Sequence, residues 1–390
     1  MDSGALEPLT RGERIAAWVL GIFAAVTRWP AASRTLWDWD EALFALALRD
    51  YDVAAHHPHP PGFPLFIGLA KLIPLDAFHA LQAIAVASSL LVFPAMFFLA
   101  RELRARGFVA IAAALLLAFF PNVWFFGGTA FSDVPSMVLA LFASALLLRG
   151  RRDARALLAG AVVLGIAAGF RPQNLLIGFV PFLLAFRHRW RASLIGGVLI
   201  AIILAASYGT AAALSGGWDV YRDALQRHER YIRSVDSFLA PLHPGLLRVA
   251  DDFFVRPYRA PLINAIVTIL ALLGLRRTRL ALLVFGPFLL FAWLYLDFHS
   301  ASRFSIAYMP LFALLAAEGI PRRGQAITLA VAVAVMIAWT WPALRVVHTT
   351  PSPPVAALAS IRALPRHTIV YVDERLAAHA ELLLPEYERR

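Results

Sequence analysis

The chain has 390 residues, of which 60% are hydrophobic and 16% are charged. A soluble globular chain carries about a quarter charged residues, so the composition excludes an ordinary water-soluble fold although the length would hold two or three such domains. The formal net charge of +11 comes almost wholly from arginine, with Lys71 the single lysine, and cysteine is absent, which removes disulfides, thiol nucleophiles and thiolate metal sites.

Apolar runs long enough, or nearly so, to cross the bilayer recur at 15–27, 77–100, 108–126, 131–148, 156–170, 174–186, 192–213, 260–275, 280–296, 304–318 and 326–341. They predict an all-α polytopic membrane protein with about eleven transmembrane helices. The first run is short and bounded by Arg14 and Arg28, like the core of a signal peptide, but no small-residue cleavage pattern follows, so it is expected to span. Arginine-rich usage with abundant Ala and Leu is the codon signature of a GC-rich bacterial genome.

Positive residues remain on the cytoplasmic side, which orients the runs. With the N-terminus inside and eleven crossings, the clusters Arg101/Arg104/Arg106, Arg149/Arg151/Arg152/Arg155, Arg187/Arg189/Arg191, Arg276/Arg277/Arg279 and Arg322/Arg323 all fall inside. Topology thus accounts for the basic balance without nucleic acid. Counting 62–75 as a further span would move every later cluster outside, so that segment is expected to be an interfacial or re-entrant helix. The loop 215–259 carries seven arginines, largely offset by Asp219, Asp223, Glu229, Asp236, Asp251 and Asp252. Residues 1–345 are expected to form the transmembrane domain and 346–390 a small outward tail. In that tail Pro351, Pro353 and Pro354 mark a linker, 367–372 a strand-like run, and 374–384 a helix.

The first outward loop concentrates chemistry. It holds Trp37, Asp38, Trp39, Asp40 and Glu41, then Asp50 and Asp52, then His56, His57 and His59 among four prolines. A carboxylate near the bilayer can accept a proton from a hydroxyl, and a neighbouring indole offers a face for a sugar ring. Asp40 reads equally as the N-cap of a helix starting near Glu41. The histidines and carboxylates together could bind a divalent cation such as Mg or Mn, although their spacing matches no fixed metal motif.

Three further groups face the same side under this topology. Asp133 opens the fourth span and reads alone as a helix cap. Arg171 lies in a short turn, as an interfacial anchor or a phosphate ligand. Arg303 precedes the tenth span, with Tyr308 one turn into it.

These residues resemble the GT-C membrane glycosyltransferases, in particular the protein O-mannosyltransferase-like and dolichyl-phosphate-mannose mannosyltransferase-like branch. The resemblance rests on Asp40-Glu41 after the first span, His59-Pro60-Pro61 closing that loop, Asp133-x-Pro135 opening the fourth span, and Arg303 before a late span. It covers about residues 10–320 and implies transfer of a hexosyl or pentosyl group from a polyprenyl-phosphate carrier to an acceptor hydroxyl outside the membrane, with inversion. By that resemblance Asp40 is the general base with Glu41 beside it, and Asp133 organises the acceptor or an ion. By it too His59 lines the site and Arg303 holds the donor phosphate; His57, Arg171 and Tyr308 are expected to bind substrate from their place in the same outward segments, not from the resemblance. The implied partners are the lipid-linked donor, membrane lipids and a glycan, lipid or protein acceptor; the implied location is a bacterial inner membrane. The large soluble domain of the family is missing or reduced to the tail. A multi-span transporter or lipid flippase is the rival, but transporters place ionisable groups near mid-membrane and show inverted repeats, and neither feature is evident. An inactive scaffold is the third reading.

Overall fold

The computed structural model describes residues 7–235, 237–242, 244–275 and 278–389. Asp236, Arg276, Arg277 and Arg390, which enter the charge and tail arguments above, lie outside the described residues. Helix α1 (Arg11–Val26) opens with a capping box between Thr10 and Glu13, so its first amides are satisfied locally. The first loop carries α2 (Trp39–Arg49) and α3 (Pro64–Lys71). With eight residues α3 is about 12 Å long. That is less than half of the roughly 30 Å hydrocarbon layer, so 62–75 is no continuous span.

Two expected runs are broken. Residues 77–100 form α4 (Ala77–Leu90) and α5 (Val92–Glu102), bent by 44°. Pro94 removes an amide and crowds the carbonyl four residues earlier, which puts the bend at this position. Residues 108–126 form α6 (Gly107–Phe119) and α7 (Pro121–Phe126), divided where Pro121 starts a new helix. Then come α8 (Asp133–Arg149), α9 (Ala154–Phe170), α10 (Asn174–His188) and α11 (Trp190–Leu214). The second long loop holds α12 (Trp218–Val235) and α13 (Leu246–Ala250), the latter running into a π turn at Asp251–Val255. The last membrane-type helices are α14 (Pro261–Gly274), α15 (Arg279–Tyr295), α16 (Ala301–Phe304), α17 (Met309–Gly319) and α18 (Gln325–Thr349).

By length and apolarity, Trp190–Leu214, Phe298–Gly319 and Gln325–Ile361 can each cross a membrane, and the bent pair α4–α5 makes a fourth candidate. Helices α6, α9, α10, α14 and α15 are apolar but shorter. The architecture is therefore helical as expected, while eleven crossings do not follow from helix length, because breaks and polar ends shorten several runs.

The centre is built from α5, α6, α8, α14 and α17, whose residues contribute most of the main buried cluster. Helix α6 is buried on nearly every face, as an all-apolar sequence permits. The outer helices show the opposite polarity to a soluble protein: Trp18, Val19 and Ile22 on α1, Val198 and Ile202 on α11, and Ile327 and Val331 on α18 are all exposed. Lipid tails, not water, suit that surface.

Helices α14 and α17 meet at their C-terminal ends through small residues. A Cβ on Gly274 would collide with the Leu315 carbonyl, and one on Gly319 with the Leu270 carbonyl. Close backbone approach of this kind is how helices pack where lipid removes the hydrophobic drive.

The tail departs from its sequence reading. Ser352 caps α19 (Pro353–Ile361), so the prolines read as a linker start a helix, because proline is tolerated in a first turn. The strand-like run makes a single parallel bridge, Val370 to Arg389. Helix α20 (Ala377–Leu383) packs on α2 through Ala378 and Leu382, and Arg49 donates to the Leu382 carbonyl at 2.9 Å.

Gly319→Val should force α14 and α17 apart at a cost of about 1–3 kcal/mol. A lower unfolding midpoint in detergent is the expected result, and an unchanged midpoint would count against the close crossing.

Candidate active site

Helix α2 starts at Asp38, whose carboxylate accepts the Asp40 amide at 3.0 Å and forms a capping box with Glu41. The cap is Asp38, not Asp40. This releases the Asp40 side chain from capping and leaves it to the surrounding loops.

Glu41 is fully buried and both its oxygens are occupied. One accepts the amides of Trp37 at 2.5 Å and Asp38 at 3.0 Å; the other accepts the Ala130 amide at 2.7 Å. Burial pushes its carboxyl up to about 7 although these amides favour the ionised form. Glu41, expected beside the base, has its side chain committed to backbone amides. Its oxygens clamp the start of α2 to the segment before α8.

Asp40 instead meets Arg303, with Oδ2 2.6 Å from Nη2, and His59, whose Nδ1 is 3.5 Å from Oδ1. Asp38 lies on the other terminal nitrogen of Arg303 at 3.7 Å. The Arg303 guanidinium lies against the rings of Phe131 and Phe304, 4.6 and 4.8 Å from their centroids, and its Nε is buried without a partner among the described residues. Burial by itself raises the Asp40 carboxyl, but His59 and Arg303 outweigh it and hold Asp40 below the usual carboxylate range. Burial also pushes the His59 imidazole down to about 4. His59 is thus neutral at pH 7, and the lasting positive charge on Asp40 is that of Arg303.

The second pair is Arg171 with Asp133. Arg171 sits in extended backbone at the end of α9, its Nη2 2.8 Å from Asp133 Oδ2 and its Nε donating to Ser132 Oγ at 2.9 Å. Aromatic rings connect the pairs. Arg171 lies over Phe63 at 5.2 Å, Phe63 meets His59 edge-on at 4.8 Å, and His59 stacks on Phe44 at 5.5 Å. The start of α2, the 59–63 loop, the start of α8, the α9–α10 turn and α16 therefore converge on one wall.

The structure brings together Asp40, His59, Arg303, Asp133 and Arg171, but two expected substrate ligands are engaged elsewhere. His57 Nε2 pairs with Glu381 of α20 at 3.3 Å. Tyr308 is fully buried and donates its hydroxyl to the Phe253 carbonyl at 2.8 Å, within the helix core. His57 thus makes a loop–tail contact and Tyr308 a core contact. Sequence reasoning passed over Asp38, the rings of Phe131 and Phe304, and His228 of α12, whose ring lies 6.2 Å from that of His59. Only Asp38 had a local signal, as an acid just before a helix whose third residue is Glu.

Two openings are lined by α14. One of about 560 Å³ is lined by Asp252, Arg256, Arg259, Asn264, Thr268 and Ala301; the other, about 360 Å³, is almost wholly apolar, between α14, α15 and α17. They share Val255 and Thr268, so a polar mouth adjoins an apolar groove. Arg259 reaches from that mouth to the Ser302 hydroxyl at 3.3 Å and the His299 carbonyl at 2.8 Å, beside Arg303.

No protein-family model and no curated protein matches the chain. Solved structures do. ArnT from Cupriavidus metallidurans bound to undecaprenyl phosphate is 14% identical, with a TM-score of 0.65 over 98% of this chain and 86% of that one. The oligosaccharyltransferase AglB from Archaeoglobus fulgidus, in complex with an inhibitory peptide and a dolichol-phosphate, is 13% identical with a TM-score of 0.56, over 97% and 65%. The Archaeoglobus fulgidus oligosaccharyltransferase tethered to an acceptor peptide is 12% identical with a TM-score of 0.54, over 96% and 63%. The chain thus spans a little under two thirds of these archaeal chains. At such identities the likeness establishes the fold alone, a helical architecture shared with ArnT and these oligosaccharyltransferases.

Proposed function

We propose that the protein is a membrane glycosyltransferase that moves a sugar from a polyprenyl-phosphate carrier to an acceptor hydroxyl. The observation that carries this reading is the Asp40–Arg303 pair, a carboxylate and a phosphate-competent guanidinium held in contact at 2.6 Å. The polar mouth with Arg256 and Arg259 suits an anionic headgroup, and the adjoining groove suits isoprenoid carbon. Support also comes from the undecaprenyl phosphate and dolichol-phosphate bound by the solved relatives. The arginine clusters support a cytoplasmic N-terminus, eleven crossings and a site on the outer face.

In this reading Asp40 takes the acceptor proton as the hydroxyl oxygen attacks the anomeric carbon. The bond from that carbon to the phosphate oxygen breaks on the opposite side, which inverts the centre. Its electron pair leaves with the lipid phosphate, whose added charge Arg303 receives. His59 lines the acceptor side, and Arg171 holds Asp133 in place for the acceptor. Glu41 acts by bracing α2. A resting Asp40 held by Arg303 is a weak base, and an anionic donor drawing on the same guanidinium relaxes that hold and raises its basicity as the complex forms.

Asp40→Asn preserves shape but removes the base, so transfer from a defined polyprenyl-phosphate sugar in membranes should fall by about 100- to 10,000-fold with expression intact. Near-normal turnover would overturn the assignment, and movement of lipid without product would favour a flippase.

The acid limb of the pH–rate profile should lie at higher pH in kcat than in kcat/KM, because the free enzyme has Asp40 depressed and the complex does not. In Arg303→Gln the cation is lost, the carboxyl pKa rises, the two limbs should coincide, and the apparent KM for donor should increase. Limbs that coincide in the wild type would count against a shared guanidinium.

A further inference from the structure

The acids of this site are each already met by a fixed positive charge or a set of amides. Asp40 lies 2.6 Å from Arg303 and Asp133 lies 2.8 Å from Arg171. Glu41 is enclosed by three backbone amides. His59 is walled by the faces and edges of Phe44 and Phe63. Among the described residues no three His, Asp or Glu side chains converge as a metal site requires. The donor set therefore does not fit the divalent cation that the loop's histidines and carboxylates invite.

Arg303 is also poorly able to move aside for a cation. The rings of Phe131 and Phe304 lie against it, 4.6 and 4.8 Å from centroid to guanidinium carbon, and its N–H groups point outward in its own plane, so the guanidinium exchanges partners at its edges. One edge serves Asp40 and Asp38, and the buried Nε has no partner among the described residues. A divalent ion bound to Asp40 would sit against this permanent charge, whereas a phosphate oxygen on the Nε edge would complete its hydrogen bonding.

We propose that Arg303 and Arg171 are the built-in cations of this site, and that sugar transfer here needs no divalent metal. The inference rests on the transferase reading above and specifies its cofactor requirement. As the anomeric carbon–phosphate oxygen bond breaks, the departing oxygen keeps the electron pair and its charge falls on Arg303. The acceptor oxygen forms the new bond, and its proton goes to Asp40. Arg171 keeps Asp133 oriented in the role a shared metal would otherwise have.

The test uses the full chain in lipid nanodiscs. Added Mn2+ is titrated by the paramagnetic resonance of the free ion, and transfer is assayed in excess EDTA. All Mn2+ should remain free and the transfer rate should be unchanged by the chelator. Arg303→Ala, which uncovers Asp38 and Asp40, should acquire Mn2+ binding at their carboxylates. One tightly held Mn2+ per wild-type chain, with transfer lost in EDTA and restored by Mn2+, would overturn the proposal. The Mn2+ titration reads the site even where no competent donor has been found, so failure of the transferase reading and failure of this inference give different results.

Discussion

The placement of every candidate group depends on the Glu41 carboxylate. It gathers the Trp37 and Asp38 amides at the start of α2 and the Ala130 amide just ahead of α8, elements 89 positions apart in sequence for the last bond. A buried acid satisfied this fully costs much less than one left bare, and its loss would leave three amides without an acceptor. The clamp decides which way the first turn of α2 faces. Asp38 is turned to the cap and Asp40 to Arg303.

Around that clamp the charges are arranged in pairs inside an aromatic shell. A buried ion pair returns little net stability, because desolvation offsets most of the attraction. Asp40–Arg303 and Asp133–Arg171 are therefore better explained by position than by stability. Phe131 and Phe304 fix the plane of one guanidinium, and Phe63 lies beneath the other. Rings hold a cation without neutralising it, so each arginine keeps its capacity for a second anion.

The wider fold serves the same end. Breaks at Leu91 and Phe120 and the short helices α3 and α16 put irregular backbone at the end of the bundle where the site lies, while α6, α8 and the α14–α17 crossing form a continuous packed interior. The tail adds a further support, since α20 braces α2 through Ala378 and Leu382 and holds His57 through Glu381. A segment too short for a core of its own is stabilised by docking, with Leu358, Val370, Ala380, Leu384 and Tyr387 as a small satellite cluster.

The local features were legible in the sequence because their causes are local. Apolar runs follow from residue type, and the anomaly of acids and histidines in the first loop stands out against its greasy surroundings, whereas the helix start at Pro121 divides a run that reads as one span in the sequence. The inference that 62–75 does not span came from charge alternation alone, and the eight-residue α3 agrees with it. What stayed hidden was every distinction between neighbouring ionisable groups. Asp38, Asp40 and Glu41 share one turn and look alike in sequence. Only the fold makes the first the cap, the second the partner of Arg303 some 260 positions away, and the third a brace, because those roles are set by which amides, rings and guanidinium groups arrive from distant helices. His57 and Tyr308 illustrate the same limit, drawn away by Glu381 and the Phe253 carbonyl. The sequence by itself determined a helical membrane chain with one chemically unusual loop; tertiary structure alone decided which of that loop's acids faces a cation, since charge pairing depends on distances the linear order does not contain.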